Sequence, residues 1–248
     1  MNPILPALIS AAIVSLLSFT GVFALAFSEK QIQKFLIIFV SFAAGALIGG
    51  AFFHLIPEVL TADPDFFFPS IYILVGFSLF FVLEKVLRWH HCHNFDCDSN
   101  QHLGHLNLVG DGIHNFIDGL VIISAFAAGP QLGIPVVISI SLHEIPQEIS
   151  DFGVLLHSGW KRGRALFFNF LSALVAIFGV VIGFLLLNQI EGINQFLLPF
   201  AAGGFIYIAA SDLIPELHKE VELRKSIISF LVFLSGLVFM LVSKFIGV

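Results

Sequence analysis

The stretches HNFIDGL (114–120) and HEIPQEISDF (143–152) decide the fold, because they place ionisable side chains in surroundings apolar enough to span a membrane. A helix needs about 20 mostly apolar residues to cross the bilayer, and each stretch lies near the middle of such a segment. One charged side chain at the bilayer centre costs roughly 2.5–3.5 kcal/mol on insertion scales. The two stretches therefore indicate a functional site inside an integral membrane protein.

The composition excludes a water-soluble protein. Of the 248 residues, 58% are hydrophobic and 11% are charged, with a mean hydropathy of +0.99. So few charges cannot cover the surface of a soluble domain. A net charge of −6 without a basic run argues against a nucleic-acid partner. No Lys or Arg precedes the first apolar run, so we expect a retained helix there rather than a signal peptide.

Eight segments are long and apolar enough to cross the bilayer. They predict an all-α, polytopic membrane protein with a single transmembrane domain over 1–248. The long polar interruption is the connection 89–104. The predicted helices lie at about 4–27, 33–60, 69–88, 105–128, 133–157, 165–189, 195–217 and 226–247.

The basic residues predict the orientation of the chain. Lys and Arg concentrate in cytoplasmic connections, and ten of the eleven lie at alternate connections, those after helices 1, 3, 5 and 7. Lys244 is the exception. We therefore expect both termini outside and the 89–104 connection in the cytoplasm. Cys92 and Cys97 would be reduced thiols there, not a disulfide framework.

An internal repeat favours a transporter. AAGALIGGAFFHLIPE (43–58) aligns with AAGGFIYIAASDLIPE (201–216), and nine of the sixteen positions are identical. The copies lie on helices 2 and 7, which run in opposite directions, and helices 4 and 5 carry a weaker repeat. This pattern predicts a 3+2+3 arrangement of inverted repeats, which is typical of transporters that bind cargo near the membrane midplane.

Helices 4 and 5 each offer two neighbouring rows of polar side chains with i, i+4 spacing, which places the members of a row on one helix face. Facing each other, these rows supply imidazoles and carboxylates, a mixture that suits Zn²⁺, Fe²⁺, Mn²⁺ and similar ions. A single buried His or Asn is more often a hydrogen-bonding contact between helices, but eight such groups favour a metal site. The rows are His114 with Asp118, Asp111 with Asn115, His143 with Gln147, and Glu144 with Glu148.

Proline residues accompany the motifs and the repeat. Pro146 lacks an N–H group, so it should leave the Leu142 carbonyl unpaired and kink the helix beside His143. Unpaired backbone at membrane depth is tolerated where it lines a polar cavity. We expect Pro57 and Pro215 to kink helices 2 and 7 in the same way.

At these residues the sequence resembles the ZIP (Zrt/Irt-like) family of divalent metal transporters. HNFIDGL matches the family's fourth-helix form HNxxDG, and HEIPQEISDF matches the fifth-helix form HEIPHExGD of its LIV-1-like branch. NFLSAL (169–174) is similar to the sixth helix of the family. The resemblance covers the whole chain and implies eight helices, outside termini, and uptake of Zn²⁺ into the cytoplasm between helices 4 and 5. Fe²⁺, Mn²⁺ and Cd²⁺ are further candidate cargoes.

The resemblance also implies a binuclear-type site. Gln147 stands where the family motif has a second His, and Ser150 where it has Gly. A neutral amide is a weaker ligand than imidazole, which bears on affinity and metal preference. The implied location is a cell membrane crossed several times (the inner membrane in a compact, prokaryotic-type protein), and a homodimer is left open. One implied metal position uses His114, Asp118, His143 and Gln147, and its neighbour uses Asn115 and Glu144 with Asp118 and Glu148.

Further polar residues are candidates for capturing or passing on metal. The segment WHHCHNFDCDSNQHLGH (89–105) is either a cytoplasmic metal-capturing loop or a solvated connection that contains His, and its spacing matches no closed zinc finger. His54 and Glu58 are either an entrance for cations or ordinary surface residues. The loop candidates are His90, His91, Cys92, His93, Cys97, His102 and His105. The exit or auxiliary candidates are Asp111, Asp151, Asn169, Ser172, Asp212, Glu216 and His218.

Two other functions stay open at the level of the sequence. The first is an intramembrane zinc-dependent hydrolase or protease, because HEIPQ is similar to the HExxH motif in which Glu is the general base. Gln147 stands in the place of its second His, however. The second is a metal-gated sensor without flux. The inverted repeat favours transport by alternating access over both, and predicts a protein that is not an enzyme.

Overall fold

The computed structural model describes residues 2–24, 29–62, 65–89 and 101–246, and the regular structure in these ranges is entirely helical. We number the helical segments of these ranges α1 to α8 in chain order. They are α1 (Ile4–Leu16, continued by a 3-10 turn at Leu17–Phe19 and by Thr20–Ala24), α2 (Glu29–Gly49, π-helical Gly50–Leu55 and Ile56–Ala62), α3 (Phe67–Trp89), α4 (Gln101–Ala128), α5 (Pro130–His157), α6 (Arg162–Ala173 and Val175–Gln189), α7 (Ile193–Ile208, π-helical Ala209–Leu213 and Ile214–His218) and α8 (Leu223–Ile246).

The helices confirm an all-α, polytopic membrane protein. Within the described ranges, seven helices are long and apolar enough to cross a membrane. The eighth, α5, is long enough but less apolar, because its middle turns carry Glu144, Glu148 and Asp151. The charges that mark a functional site thus also weaken the hydropathy signal of the helix that holds them.

The polar connection before α4 is shorter than predicted. α3 extends to Trp89, and α4 begins at Gln101 rather than at 105. The candidate loop residues His90, His91, Cys92, His93 and Cys97 lie outside the described residues, as does the side chain of His102.

Burial divides the helices into a central and a peripheral set. In the most apolar stretch of each helix, 72% of the α7 residues, 61% of the α4 residues and 56% of the α2 residues are buried. The corresponding shares are 17% for α3 and 22% for α8, which therefore present most of their apolar side chains outward. An apolar exterior is expected where lipid is the solvent.

Both copies of the repeat contain a π-helical turn at the same place. The turns Gly50–Leu55 and Ala209–Leu213 each lead directly into the sequence Ile-Pro-Glu. A π turn adds one residue to the hydrogen-bonded ring, which gives Pro57 and Pro215 room within a continuous helical segment. In α5, by contrast, Pro146 lies inside an uninterrupted α-helix. The kinks expected at Pro57, Pro146 and Pro215 stay predictions, and what the structure shows beside Pro57 and Pro215 is a π turn.

Glycine residues bring α3 and α7 into direct backbone contact. A Cβ atom at Gly203 of α7 would lie 2.0 Å from the Ile73 carbonyl oxygen of α3. Reciprocally, a Cβ atom at Gly76 of α3 would lie 2.1 Å from the Phe200 carbonyl oxygen of α7. Only glycine allows backbones to approach so closely, and small residues have this role at helix interfaces in membranes.

The same arrangement recurs in two further helix pairs. In a 3+2+3 inverted repeat, α2 corresponds to α7 and α3 corresponds to α8. The contact between α2 and α8 is therefore equivalent to the contact between α7 and α3. The packing agrees with the inverted repeat predicted from the sequence. The reciprocal glycines are Gly45 and Gly236 between α2 and α8, and Gly119 and Gly179 between α4 and α6.

We expect Gly203→Ala to destabilise the protein, because its Cβ would overlap the Ile73 carbonyl oxygen and force α3 away from α7. Overpacking of this kind costs about 1–3 kcal/mol. Gly153→Ala is the matched control, since a Cβ at Gly153 of α5 meets nothing within 4 Å. Thermal unfolding in detergent should show a lower midpoint for Gly203→Ala only. Equal midpoints for both variants would contradict the close contact.

Candidate metal centre

Four side chains with metal-binding atoms lie together between α4 and α5. His114 and Asp118 come from α4, and His143 and Glu144 come from α5. One ligand atom of each lies within 4.8 Å of the other three. The i, i+4 spacing places the two α4 residues on one face, and the adjacent pair of α5 faces them. We call these four residues the central cluster.

The distances in the central cluster fit a tetrahedral metal ion. The Nε2 atoms of His114 and His143 are 3.2 Å apart. His114 Nε2 lies 3.6 Å from Asp118 Oδ2 and 3.3 Å from Glu144 Oε1, and His143 Nε2 lies 3.6 and 3.7 Å from the same two oxygens. Ligands bound at about 2.0–2.1 Å in a tetrahedron are about 3.3–3.4 Å apart. These five distances are close to those between the ligands of a tetrahedral Zn²⁺ ion, and the two carboxylates offer oxygen atoms within 4.8 Å of each other.

A backbone contact orients the imidazole of His143. Its Nδ1 lies 3.1 Å from the Ser139 carbonyl oxygen, one turn earlier on α5. When Nδ1–H donates to this carbonyl, the lone pair of Nε2 points into the central cluster. Metal-binding histidines are usually held in this way through their second nitrogen, which fixes the tautomer.

The carboxylates of the central cluster are buried with two imidazoles beside them but without a Lys or Arg partner on either helix. Asp118 Oδ2 and both carboxylate oxygens of Glu144 are buried and accept no hydrogen bond among the described residues. Neither α4 nor α5 contains a Lys or Arg. Uncompensated buried charge is strongly destabilising. A divalent cation is therefore the counter-charge that this arrangement is suited to accept.

A second set of oxygen atoms adjoins the central cluster. Asn115 Oδ1 and Glu148 Oε1 are buried without a hydrogen-bond partner, as is the second oxygen of Glu144. The other polar atoms of these side chains are held in place: Asn115 Nδ2 donates to Asp111 Oδ1 at 2.9 Å, and Asn169 of α6 donates to Glu148 Oε2. An oxygen-only set of this kind suits harder cations better than it suits zinc.

The amide of Gln147 is hydrogen-bonded to α4. Its Nε2 donates to Asp111 Oδ1 at 3.3 Å, while Glu144 is the fourth side chain of the central cluster. Gln147 lies one turn after His143 on α5, which brings it opposite Asp111 on the antiparallel α4. The structure brings Glu144 together with His114, Asp118 and His143, and a ligand role for Gln147 stays a prediction.

A cavity of about 930 Å³ connects the central cluster with one end of the helix bundle. His114 and His143 line its inner end, and Lys219 and Glu220, between α7 and α8, line its mouth. His114 is 15% exposed, whereas the other side chains of the central cluster are 1–2% exposed. An ion in the central cluster would therefore be reached by water from the cavity, on the side of the cluster where His114 lies.

The structure separates the remaining candidate residues into three groups. Asp111, Asp151, Asp212 and Glu216 line the cavity. Asn169 contacts Glu148, and Ser172 donates to the backbone carbonyls of Phe168 and Asn169. Residues away from both the cavity and the central cluster are Glu58, His218 and His105, the last with its ring 5.0 Å from that of Trp160.

His54 lies in a helix contact. Its side chain is 1% exposed, and its Nε2 lies 2.9 Å from the Met240 carbonyl oxygen and 3.0 Å from Ser243 Oγ. These contacts join α2 to α8 in the conformation described here. The alternative of a solvated surface residue is wrong for His54.

Comparison with known proteins identifies the family. The family model described as ZIP zinc transporter matches residues 88–244, more than half of the chain. The chain belongs to the ZIP family. The matched region contains α4 to α7 and all but the last two residues of α8, and hence the complete central cluster. ZIP proteins are multi-pass membrane proteins, in agreement with the helices described above.

Several individual ZIP proteins resemble the chain over most of its length. It is 30% identical to zinc transporter zipt-7.1 of Caenorhabditis briggsae, over 75% of this chain and 63% of the relative. It is 32% identical to zinc transporter ZIP13 of Pongo abelii, over 81% and 64%. It is 30% identical to metal cation symporter ZIP14 of Xenopus tropicalis, over 84% and 60%. The chain thus spans a little under two thirds of the length of these relatives.

Sequence reasoning missed several polar residues on the cavity wall. Asn107 donates to Asp151 Oδ1 at 3.1 Å, and its position four residues before Asp111 is a signal that could have found it. Tyr207 of α7 donates to Glu84 of α3. These two residues are far apart in the sequence and belong to no shared motif, so only the packing of α3 against α7 reveals the pair.

We expect His143→Ala to weaken Zn²⁺ binding far more than Gln147→Ala does. His143 supplies a ligand atom, whereas Gln147 contacts Asp111. A loss of about 100-fold for His143→Ala corresponds to about 2.7 kcal/mol, and we expect about tenfold or less for Gln147→Ala. Competition against a chelator of known affinity measures both values in detergent-purified protein. Equal losses would place Gln147 among the ligands and contradict the geometry.

Proposed function

We propose that the protein carries divalent transition-metal ions across the membrane into the cytoplasm, with Zn²⁺ as the main cargo and Fe²⁺, Mn²⁺ and Cd²⁺ as further candidates. The central cluster supports this proposal most strongly, because its four ligand atoms form a tetrahedron at the inner end of a one-sided cavity. A binding site at mid-depth with access from one side is what a carrier requires. The names of the relatives, zinc transporter and metal cation symporter, support this class of cargo.

The second set of oxygens, from Asn115, Glu144 and Glu148, supports a neighbouring metal position. Glu144 would contribute one carboxylate oxygen to each position, since both of its oxygens are buried and unpaired. Two ions close together would compensate more of the negative charge between α4 and α5 than one ion does. We therefore propose a binuclear-type site.

The basic residues support a direction of transport. Lys219 lies at the mouth of the cavity, and Lys161, Arg162 and Arg164 lie at the connection between α5 and α6. Because Lys and Arg concentrate on the cytoplasmic side, we infer that the cavity opens to the cytoplasm. Both termini would then lie outside, and an ion that leaves the central cluster through the cavity enters the cell.

Tight packing closes the opposite side of the central cluster. A Cβ atom at Gly50 of α2 would lie 2.8 Å from Ser139 Oγ of α5 and 3.6 Å from the ring of Phe205 of α7. The ring of Phe205 lies 6.4 Å from the ring of His143. We infer an inward-open conformation whose outer side is sealed by α2, α5 and α7. The inverted repeat supplies a physical route to the reverse conformation, and hence to alternating access.

We propose transport rather than hydrolysis. A zinc hydrolase keeps one metal position open for water, whereas here four protein atoms occupy the corners of the tetrahedron. Gln147, the residue in the place of the second His of HExxH, is turned towards Asp111. Neither the geometry nor the relatives support the protease alternative.

We expect His114→Ala to lower Zn²⁺ uptake into sealed proteoliposomes at least tenfold, because a missing imidazole removes one corner of the tetrahedron; such a loss corresponds to at least about 1.4 kcal/mol. His157→Ala is the matched control, since His157 is an exposed histidine at the end of α5. An indicator dye inside the vesicles measures the rate at equal protein content.

Three outcomes separate the alternatives. Uptake by His114→Ala at the rate of the control would remove the central cluster from the transport path. Tight Zn²⁺ binding by the unchanged protein without uptake would indicate a sensor. Turnover of added lipid or peptide by the unchanged protein, abolished in His114→Ala, would indicate an enzyme.

A further inference from the structure

Two cross-helix polar pairs continue from the central cluster along the cavity wall. Gln147 Nε2 of α5 donates to Asp111 Oδ1 of α4 at 3.3 Å. One turn further, Asn107 Nδ2 of α4 donates to Asp151 Oδ1 of α5 at 3.1 Å. All four residues line the cavity that ends at Lys219 and Glu220. Together with the pair His114 and His143, they form a ladder of three rungs between the two helices.

The spacing of the rungs follows from helix geometry. The α4 members are residues 114, 111 and 107, and the α5 members are residues 143, 147 and 151. Because α4 and α5 run antiparallel, the sequence numbers fall on one helix as they rise on the other. Steps of three or four residues correspond to about 4.5–6 Å along a helix axis. A metal ion could therefore pass from one rung to the next in a single short step.

The two rungs beyond the histidine pair, Asp111 with Gln147 and Asn107 with Asp151, offer oxygen atoms and no imidazole. The amide nitrogen of Gln147 or Asn107 donates to one carboxylate oxygen, so the amide oxygen and the second carboxylate oxygen are available to a cation. Asp111 is 5% exposed, and its Oδ2 is buried without a hydrogen-bond partner. A buried carboxylate oxygen without a partner is costly unless a cation or donor compensates it. Asp111 lines the cavity, and its unpartnered buried oxygen is the observation that favours a cation position at this rung.

We propose that the pairs Asp111–Gln147 and Asp151–Asn107 are two successive cation-binding stations through which the metal leaves the central cluster. The proposal rests on the proposed transport function. The central cluster offers two imidazoles and two carboxylates, whereas each station offers one carboxylate and one amide, which bind zinc-type ions more weakly. Weaker binding at the stations than in the central cluster would let an ion move on, because conduction requires several sites, each weak enough for the ion to leave.

The opposite wall of the cavity carries a rival path. Asp212 and Glu216 of α7 also line the cavity, but Glu216 is exposed and forms an ion pair with Lys219. The positive charge of Lys219 offsets the attraction of Glu216 for a cation. The α4–α5 wall has no basic residue on either helix. We therefore place the stations on the ladder rather than on α7.

The test compares Asp111→Asn and Asp151→Asn, which remove one charge each at nearly constant shape. We expect initial Zn²⁺ uptake into proteoliposomes to fall about tenfold in each variant, while the tightest Zn²⁺ binding changes less than about threefold. Glu191→Gln is the control for loss of one charge, because Glu191 is exposed in the connection between α6 and α7. Asp111→Glu restores a carboxylate and should recover most of the uptake rate.

Several results would overturn the stations. If Asp111→Asn and Asp151→Asn both take up Zn²⁺ at the rate of the unsubstituted protein, the stations are ruled out and the proposed transport function still stands. A larger loss in Glu216→Gln than in the Asn variants places the path on α7. Equal losses of binding and uptake in Asp111→Asn would make Asp111 part of the central cluster. If Asp111→Asn unfolds at a lower temperature than the unsubstituted protein, the uptake rate of Asp151→Asn alone tests the stations. Asp151 is only partly buried, so its substitution is expected to disturb the fold less. No uptake by the unchanged protein contradicts the proposed function itself.

Discussion

The structure depends on one constraint, which is that negative charge is buried between two helices that carry no Lys or Arg. Four carboxylates, those of Asp111, Asp118, Glu144 and Glu148, are buried between α4 and α5 and their neighbours. In a medium of low dielectric such charge is tolerated only with a counter-charge. Under the proposed function, the two imidazoles and a divalent cation would supply it. The carboxylates that make the helix pair costly to insert would then also be the groups that bind the transported ion.

The rest of the fold holds this helix pair in place. α2 and α7 are largely buried and flank the pair, while α3 and α8 pack outside them through glycines whose Cβ atoms would overlap a carbonyl oxygen. Backbone contacts of this kind need little side-chain area, which suits helices that must pack without a hydrophobic driving force. The π turns of α2 and α7 lie at matching places in the repeat. Under the proposed alternating access, these paired tight contacts, related by inversion, would form the two alternative ways of closing the bundle around one site.

Local patterns in the sequence predicted the helices and named all four residues of the central cluster, but they assigned Glu144 to the neighbouring metal position rather than to the group of His114, Asp118 and His143. His114, Asp118 and His143 follow from i, i+4 spacing, because helical spacing fixes which side chains share a face. The choice between Glu144 and Gln147 depends on how α5 is rotated against α4. That rotation is set by packing such as the contact of Gly50 with Ser139, which no local pattern encodes. For the same reason Asn107 and the pair of Tyr207 with Glu84 were missed, and His54 was not recognised as a helix contact.

X-ray absorption at the zinc edge tests the central claim most directly, because it reports the atoms bound to the ion. Protein loaded with one equivalent of Zn²⁺ should show two imidazole nitrogens and two oxygens at about 2.0–2.1 Å. His143→Ala should lose one imidazole from this shell. Sulfur at about 2.3 Å would instead place the ion on Cys92 or Cys97. That result, or a shell of oxygen alone, would contradict the assignment of the tightest site to His114, Asp118, His143 and Glu144.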